Sequence, residues 1–168
     1  MSEEIVNKVA NSGLISFDLE DYYPTNERVV YDIKQNLFQE MILREKDFRA
    51  FVKEHDWSQY QDKFVAITCS ADAIVPTWAY MLLATKLEGV TKGIVFGTLD
   101  ELENQVMLDS LSSVDFSQFI DSRVVVKGCS KYNIPMNVYV YLTRQLTPVV
   151  KSLMFGEPCS TVPLYKRR

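Results

Sequence analysis

Short apolar runs and stretches of helical spacing alternate through the last two thirds of the chain. Phe64-Val65-Ala66-Ile67-Thr68 is a continuous apolar run of strand length, the pattern of a strand covered on both faces. Pro76 then suits a first helical position, Trp78 to Leu83 is apolar nearly all round, and Gly89 stands where helices commonly stop, which predicts a deeply buried helix. Gly93-Ile94-Val95-Phe96 reads as the next strand, and Thr98 with Glu101 has the spacing of a capping box that opens another helix. Arg123 to Lys127 gives a third strand. A long helix is expected from about Pro135 to Phe155, ending at Gly156 and kinked at Pro148 by the loss of a backbone hydrogen bond.

The first third is less regular. Leu14 to Glu20 alternates apolar and polar residues and suits a strand with one solvated face, which Asp21-Tyr22-Tyr23-Pro24 ends. Arg28 to Lys34 reads as a second strand, and Phe48, Phe51 and Val52 have the i, i+3, i+4 spacing of a short amphipathic helix. Successive strand-helix units imply parallel strands joined by helical crossovers. The expected fold is a single-domain α/β sandwich over residues 1–168, of two or three layers, with a mainly parallel sheet. The number of strands supplied by the first sixty residues stays open.

The pattern also repeats. Asp56-Trp57-Ser58-Gln59-Tyr60-Gln61-Asp62 nearly coincides with Asp115-Phe116-Ser117-Gln118-Phe119-Ile120-Asp121. Each heptad leads into a strand, and each strand is followed shortly by Cys-Ser, at Cys69-Ser70 and Cys129-Ser130. Ile74 and Pro76 open one helix, Ile134 and Pro135 the other, with Tyr80 and Tyr139 at the same place within each. This predicts an internal βα duplication, with residues 1–55 as N-terminal strands and a short helix, and 56–114 and 115–168 as related units. Repeats mark a structural unit before they mark a function. In the plainer reading, Asp56 and Asp115 cap short turns over their aromatic neighbours and the cysteines are small buried hydrophobes.

A sharper reading starts from position, because open α/β sheets bind ligands outside the carboxyl ends of their strands, where both Cys-Ser pairs are expected. A thiol near a helix N-terminus gains thiolate character from the helix dipole. Cys159, in a loop after the last helix, could fold back over the same edge, and three converging thiolates suit zinc or an iron-sulfur cluster. The candidate metal ligands are therefore Cys69, Cys129 and Cys159, with Asp72, His55, water or a partner's residue in fourth place. Two thiols at adjacent strand ends could instead form a reversible disulfide or carry sulfur as a persulfide, with Lys127 or Lys131 favouring the thiolate.

Composition narrows the classes. With 47% hydrophobic and 24% charged residues the chain has the balance of an ordinary globular protein, and 22 acidic against 18 basic side chains give a net charge of −4, which provides no footprint for nucleic acid. Ile74 to Ala84, the longest apolar stretch, is broken by Pro76 and too short to span a bilayer, so no membrane is expected. The acidic start Met1-Ser2-Glu3-Glu4 lacks the features of a secretory signal, and three cysteines make an odd count. Both favour a cytoplasmic location and free thiols. His55, among Lys53, Glu54 and Asp56, reads as a surface histidine. Asp18, Glu20 and Asp21 read as a solvated face before they read as a metal or acid-base site. The glycines form neither a dinucleotide fingerprint nor a phosphate loop, and the abundant aromatics suit a core or a homo-oligomeric surface.

At Leu43-Arg44-Glu45-Lys46-Asp47-Phe48-Arg49, His55-Asp56-Trp57-Ser58-Gln59-Tyr60, Thr68 through Tyr80, Lys127-Gly128-Cys129, and Phe155 through Pro163, the chain resembles the bacterial domain-of-unknown-function family numbered 2480. The similarity spans nearly the whole chain. It implies a small cytoplasmic bacterial domain, supplies no activity, and associates the chain with iron-sulfur assembly genes, whose products would be partners. The readings to be compared are an accessory protein with a cysteine-based metal, iron-sulfur or sulfur-handling site, a structural or protein-interaction module with buried cysteines, and a small enzyme with a cysteine nucleophile.

Overall fold

The computed structural model describes residues 13–128 and 130–168. It is an α/β structure in which the chain forms two compact units. One is contiguous, Thr25–Val106. The other is split, joining the residues up to Pro24 with Met107–Arg168. Among the described residues, the first sixty positions supply two strands, one to each unit.

In the contiguous unit, β2 (Arg28–Asp32), β3 (Phe64–Thr68) and β4 (Gly93–Phe96) form a parallel sheet in that order. Strand β3 is central, and its first four residues are buried, as the unbroken apolar run requires. Val65 and Ile67 on one face meet α1 (Glu45–Glu54) through Phe48 and Val52, and α2 (Thr77–Leu87) through Ala79, Leu83 and Leu87. Phe64 and Ala66 on the other face meet Leu102 and Val106 in the first half of α3 (Leu99–Ser112). The capping box at the start of α3 forms as its sequence predicts: the Glu101 carboxylate accepts the Thr98 N–H at 2.7 Å, and the Thr98 hydroxyl accepts the Glu101 N–H at 3.2 Å.

The split unit has the order β1 (Leu14–Asp18), β5 (Arg123–Lys127), β6 (Ser152–Glu157), β7 (Ser160–Lys166). The first three strands are parallel, and β7 returns antiparallel to β6. Val124, Val126 and Leu153 pack against Met107 and Leu111 from the second half of α3 and against Val138, Leu142 and Leu146 of α4 (Met136–Leu146).

Two expectations change. The last helix stops at Leu146, so Pro148 follows its end and kinks nothing, while residues 152–157 form β6. The apolar run Leu153-Met154-Phe155 is compatible with either state, and parallel pairing with β5 decides for the strand. Helix α2 is buried on one side only: Ala79, Leu83 and Leu87 are buried, whereas Met81 on the opposite side is 64% exposed.

The units share local detail. Asp56 and Asp115 each cap a 3-10 turn by accepting a backbone N–H at 3.0 Å, from Ser58 and Ser117 respectively. Asp62 and Asp121 follow with φ of 59° and 57°, a left-handed conformation that aspartate tolerates better than most residues. Their N–H groups donate to Val90 and Val149, each at 2.9 Å. Asp18 and Asp32 likewise cap the turns that end β1 and β2.

Candidate functional site

The chemistry-bearing residues of the contiguous unit meet at the carboxyl ends of β2 and β3. Asp32 ends β2, and its carboxylate accepts the Lys34 N–H at 3.0 Å, the Ser70 N–H at 3.1 Å and the Ser70 hydroxyl. The loop after β3 is thereby fastened to β2. Burial acts to raise the Asp32 pKa, but the hydrogen bonds from Ser70 and Lys34 together with the Lys34 charge outweigh it and hold the carboxyl below its ordinary value. Cys69, half-buried, directs its thiol to the Ala71 carbonyl at 3.6 Å. Burial, then the neighbouring Cys69 and Asp32, push the Tyr80 phenol pKa up.

Tyr80 also lines an apolar groove. Its ring stands edge-on to Phe96 at 4.9 Å, and with Ile67, Met81, Ala84 and Ile94 the two rings bound a groove of about 430 Å³ between α2 and β4. Phe96 is 65% exposed. The split unit carries a matching groove of about 440 Å³, where Val126, Tyr139, Thr143 and Phe155 take the places of Ile67, Tyr80, Ala84 and Phe96. There Val162 and Leu164 of β7 close one side, and Tyr139 meets Phe155 at 6.0 Å, again edge-on.

The thiol position is not matched. Cys69 directly follows β3, whereas Gly128 directly follows β5. A side chain there would meet the Phe155 ring, since an added Cβ lies 3.3 Å from its Cζ. In the split unit Lys127 lies 3.4 Å from Asp18 and 3.8 Å from Glu157. The hydrogen bond to Asp18, then the Glu157 charge, raise the Lys127 pKa.

Among the proposed metal ligands, Cys129 lies outside the described residues. Cys159 is exposed in the two-residue turn between β6 and β7, in the split unit, while Cys69 and the exposed Asp72 belong to the contiguous one. Among the described residues no group of three or more His, Cys, Asp or Glu side chains is placed to hold a metal ion. His55 is half-buried between Trp57 and Phe51, at 4.6 and 4.7 Å, which departs from the solvated surface position expected of it. Sequence reading missed Asp32 and Tyr80 as companions of Cys69. The available signal was Asp32 ending its strand as Asp18 ends β1, and the tyrosine common to both helices.

Residues 3–167 match the family described as Protein of unknown function (DUF2480), and the chain belongs to that family. No curated protein and no solved structure matches it. Among the described residues, no helix is long and apolar enough to cross a membrane.

Proposed function

We propose that this chain is a non-catalytic protein-interaction module, built by internal duplication of a strand-turn-helix-turn-strand-helix-strand unit, whose docking surface is the apolar groove between α2 and β4. The observation that carries this reading is the exposure of Phe96 and Met81, at 65% and 64%, on a groove whose counterpart in the split unit is flanked by the chain's own strand β7. Clustered exposed apolar side chains mark interaction sites more often than isolated ones do. The duplication is supported by the matched aspartate caps, the matched left-handed aspartates and the matched grooves. An extended apolar segment is the natural ligand, because in the split unit the extended β7 pairs with β6 and lines one side of the matching groove. The test is titration of the full chain with a fluorescent peptide of sequence Ser160–Lys166. Saturable binding that Phe96→Lys weakens at least about tenfold is expected. Equal binding by the native protein and the variant, or none up to millimolar peptide, overturns the reading.

A second reading is favoured by the placement of Cys69 beside Tyr80 and Asp32: an accessory protein that handles sulfur, or a metal or iron-sulfur cluster, through its cysteines, with assembly proteins as partners. The described residues do not gather the donor set that zinc or a cluster needs, so the form this reading takes at Cys69 is a single reactive thiol. Trapping of a Cys69 persulfide by alkylation and mass spectrometry, absent in Cys69→Ser, would move the conclusion to sulfur handling.

A further inference from the structure

We infer that the open β4 edge of the contiguous unit receives an extended segment of another protein that carries an arginine, seated on Asp62 as Arg167 is seated on Asp121. The inference rests on the interaction-module reading and names the chemistry of the partner.

The split unit shows such a seat filled. Directly after β7, the Arg167 N–H donates to the Lys151 carbonyl at 2.9 Å and extends the antiparallel β6–β7 pairing by one step. The Arg167 guanidinium pairs with the Asp121 carboxylate and donates to the Val149 carbonyl at 3.0 Å. Asp121, Val149 and Lys151 thus hold one arginine at the end of a strand whose Val162 and Leu164 line the groove.

The contiguous unit repeats the receptor. Asp62, Val90 and Lys92 are the counterparts of Asp121, Val149 and Lys151, and their backbone is arranged alike. Asp62 is left-handed and donates its N–H to Val90, as Asp121 does to Val149. The Lys92 N–H donates to the Lys63 carbonyl and the Lys151 N–H to the Ser122 carbonyl, both at 2.8 Å. Among the described residues, however, no strand pairs with the outer side of β4, which ends the sheet order β2-β3-β4. The Asp62 carboxylate is exposed, and Lys92 meets it only loosely, at 3.9 Å.

Charge selects the occupant. Glu88 lines the α2–β4 groove at the position where the repeat has Thr147, so this groove carries a second carboxylate that its counterpart lacks. A guanidinium can meet a carboxylate and a carbonyl together through its planar fork of donors, which suits arginine better than lysine. The chain's own Arg167 is committed to Asp121, so the occupant is a segment of a separate protein. By the pattern of β7, that segment is apolar at the positions matching Val162 and Leu164 and has its arginine where Arg167 stands.

The experiment is titration of the full chain, as native protein, Asp62→Asn and Phe96→Lys, with two fluorescent, C-terminally amidated peptides: the sequence Ser160–Arg167, and the same sequence with Arg167→Ala. Asparagine tolerates the left-handed backbone, so Asp62→Asn removes the charge and keeps the turn. The native protein should bind the arginine peptide. Asp62→Asn and the peptide change should each weaken binding by about fivefold, and the two together by no more than either alone, as a shared contact requires. Binding that Phe96→Lys weakens but that neither the arginine nor Asp62 affects, or losses that simply multiply, overturns the inference and leaves the interaction module standing. No binding of either peptide up to millimolar concentration overturns both. Sedimentation velocity at the same protein concentrations should show a monomer. A dimer that the peptide dissociates would make the occupant a second copy and overturn the assignment to a separate protein.

Discussion

Removing the Asp32 carboxylate should loosen the carboxyl edge of the contiguous unit. In Asp32→Ala, the Lys34 N–H, the Ser70 N–H and the Ser70 hydroxyl lose their acceptor together. A hydrogen bond to a charged group contributes about 1.5–3 kcal/mol in favourable cases, but this edge is partly solvated and water replaces much of each bond. The expected total is about 1–2 kcal/mol, or about 2–8 °C in melting temperature for a chain of this size. The effect must also depend on pH. The folded-state pKa of Asp32 is lowered, so its contribution is present above the unfolded value of about 3.9 and is lost as pH falls through the folded value. Urea unfolding at pH 7 should separate native protein from Asp32→Ala, and the gap should close as the pH is taken well below 4. Asp32→Asn, which keeps an acceptor without the charge, should fall between them. An undiminished gap at acid pH would show that Asp32 acts by packing and refute the electrostatic account. No gap at pH 7 would show that the Ser70 anchor contributes nothing.

Two further outcomes follow from local geometry. Gly156 has φ of 121°, and a Cβ there would lie 2.7 Å from the Ser160 carbonyl oxygen, so Gly156→Ala should destabilise the β6–β7 hairpin by about 2–3 kcal/mol; a thermal melt unchanged from the native protein would contradict this. In a Cys129→Ser background, Cys159 should react rapidly with a disulfide reagent and Cys69 more slowly, because one is exposed and the other half-buried beneath Tyr80. Tyr80→Ala, which removes the neighbouring ring, should speed modification of Cys69 several-fold, and equal rates for the two native thiols would refute the placement of Cys69.

Features governed by neighbours along the chain can be read from the order of residues alone. The apolar run at Phe64 to Ile67, the Thr98–Glu101 cap and the twin Asp56 and Asp115 turns follow from periodicity and short-range hydrogen bonding, and they are legible without coordinates. Tertiary structure decided what depends on distant partners. Residues 152–157 form a strand because β5 offers them a parallel edge, and Leu14–Asp18 pairs with that same β5, far along the chain, which makes one unit discontinuous. The site divides in the same way. Repetition drew notice to Cys69, but Asp32 and Tyr80 reach it from β2 and α2, and only the packing of β2 beside β3, with α2 across them, brings a carboxylate, a thiol and a phenol to one edge.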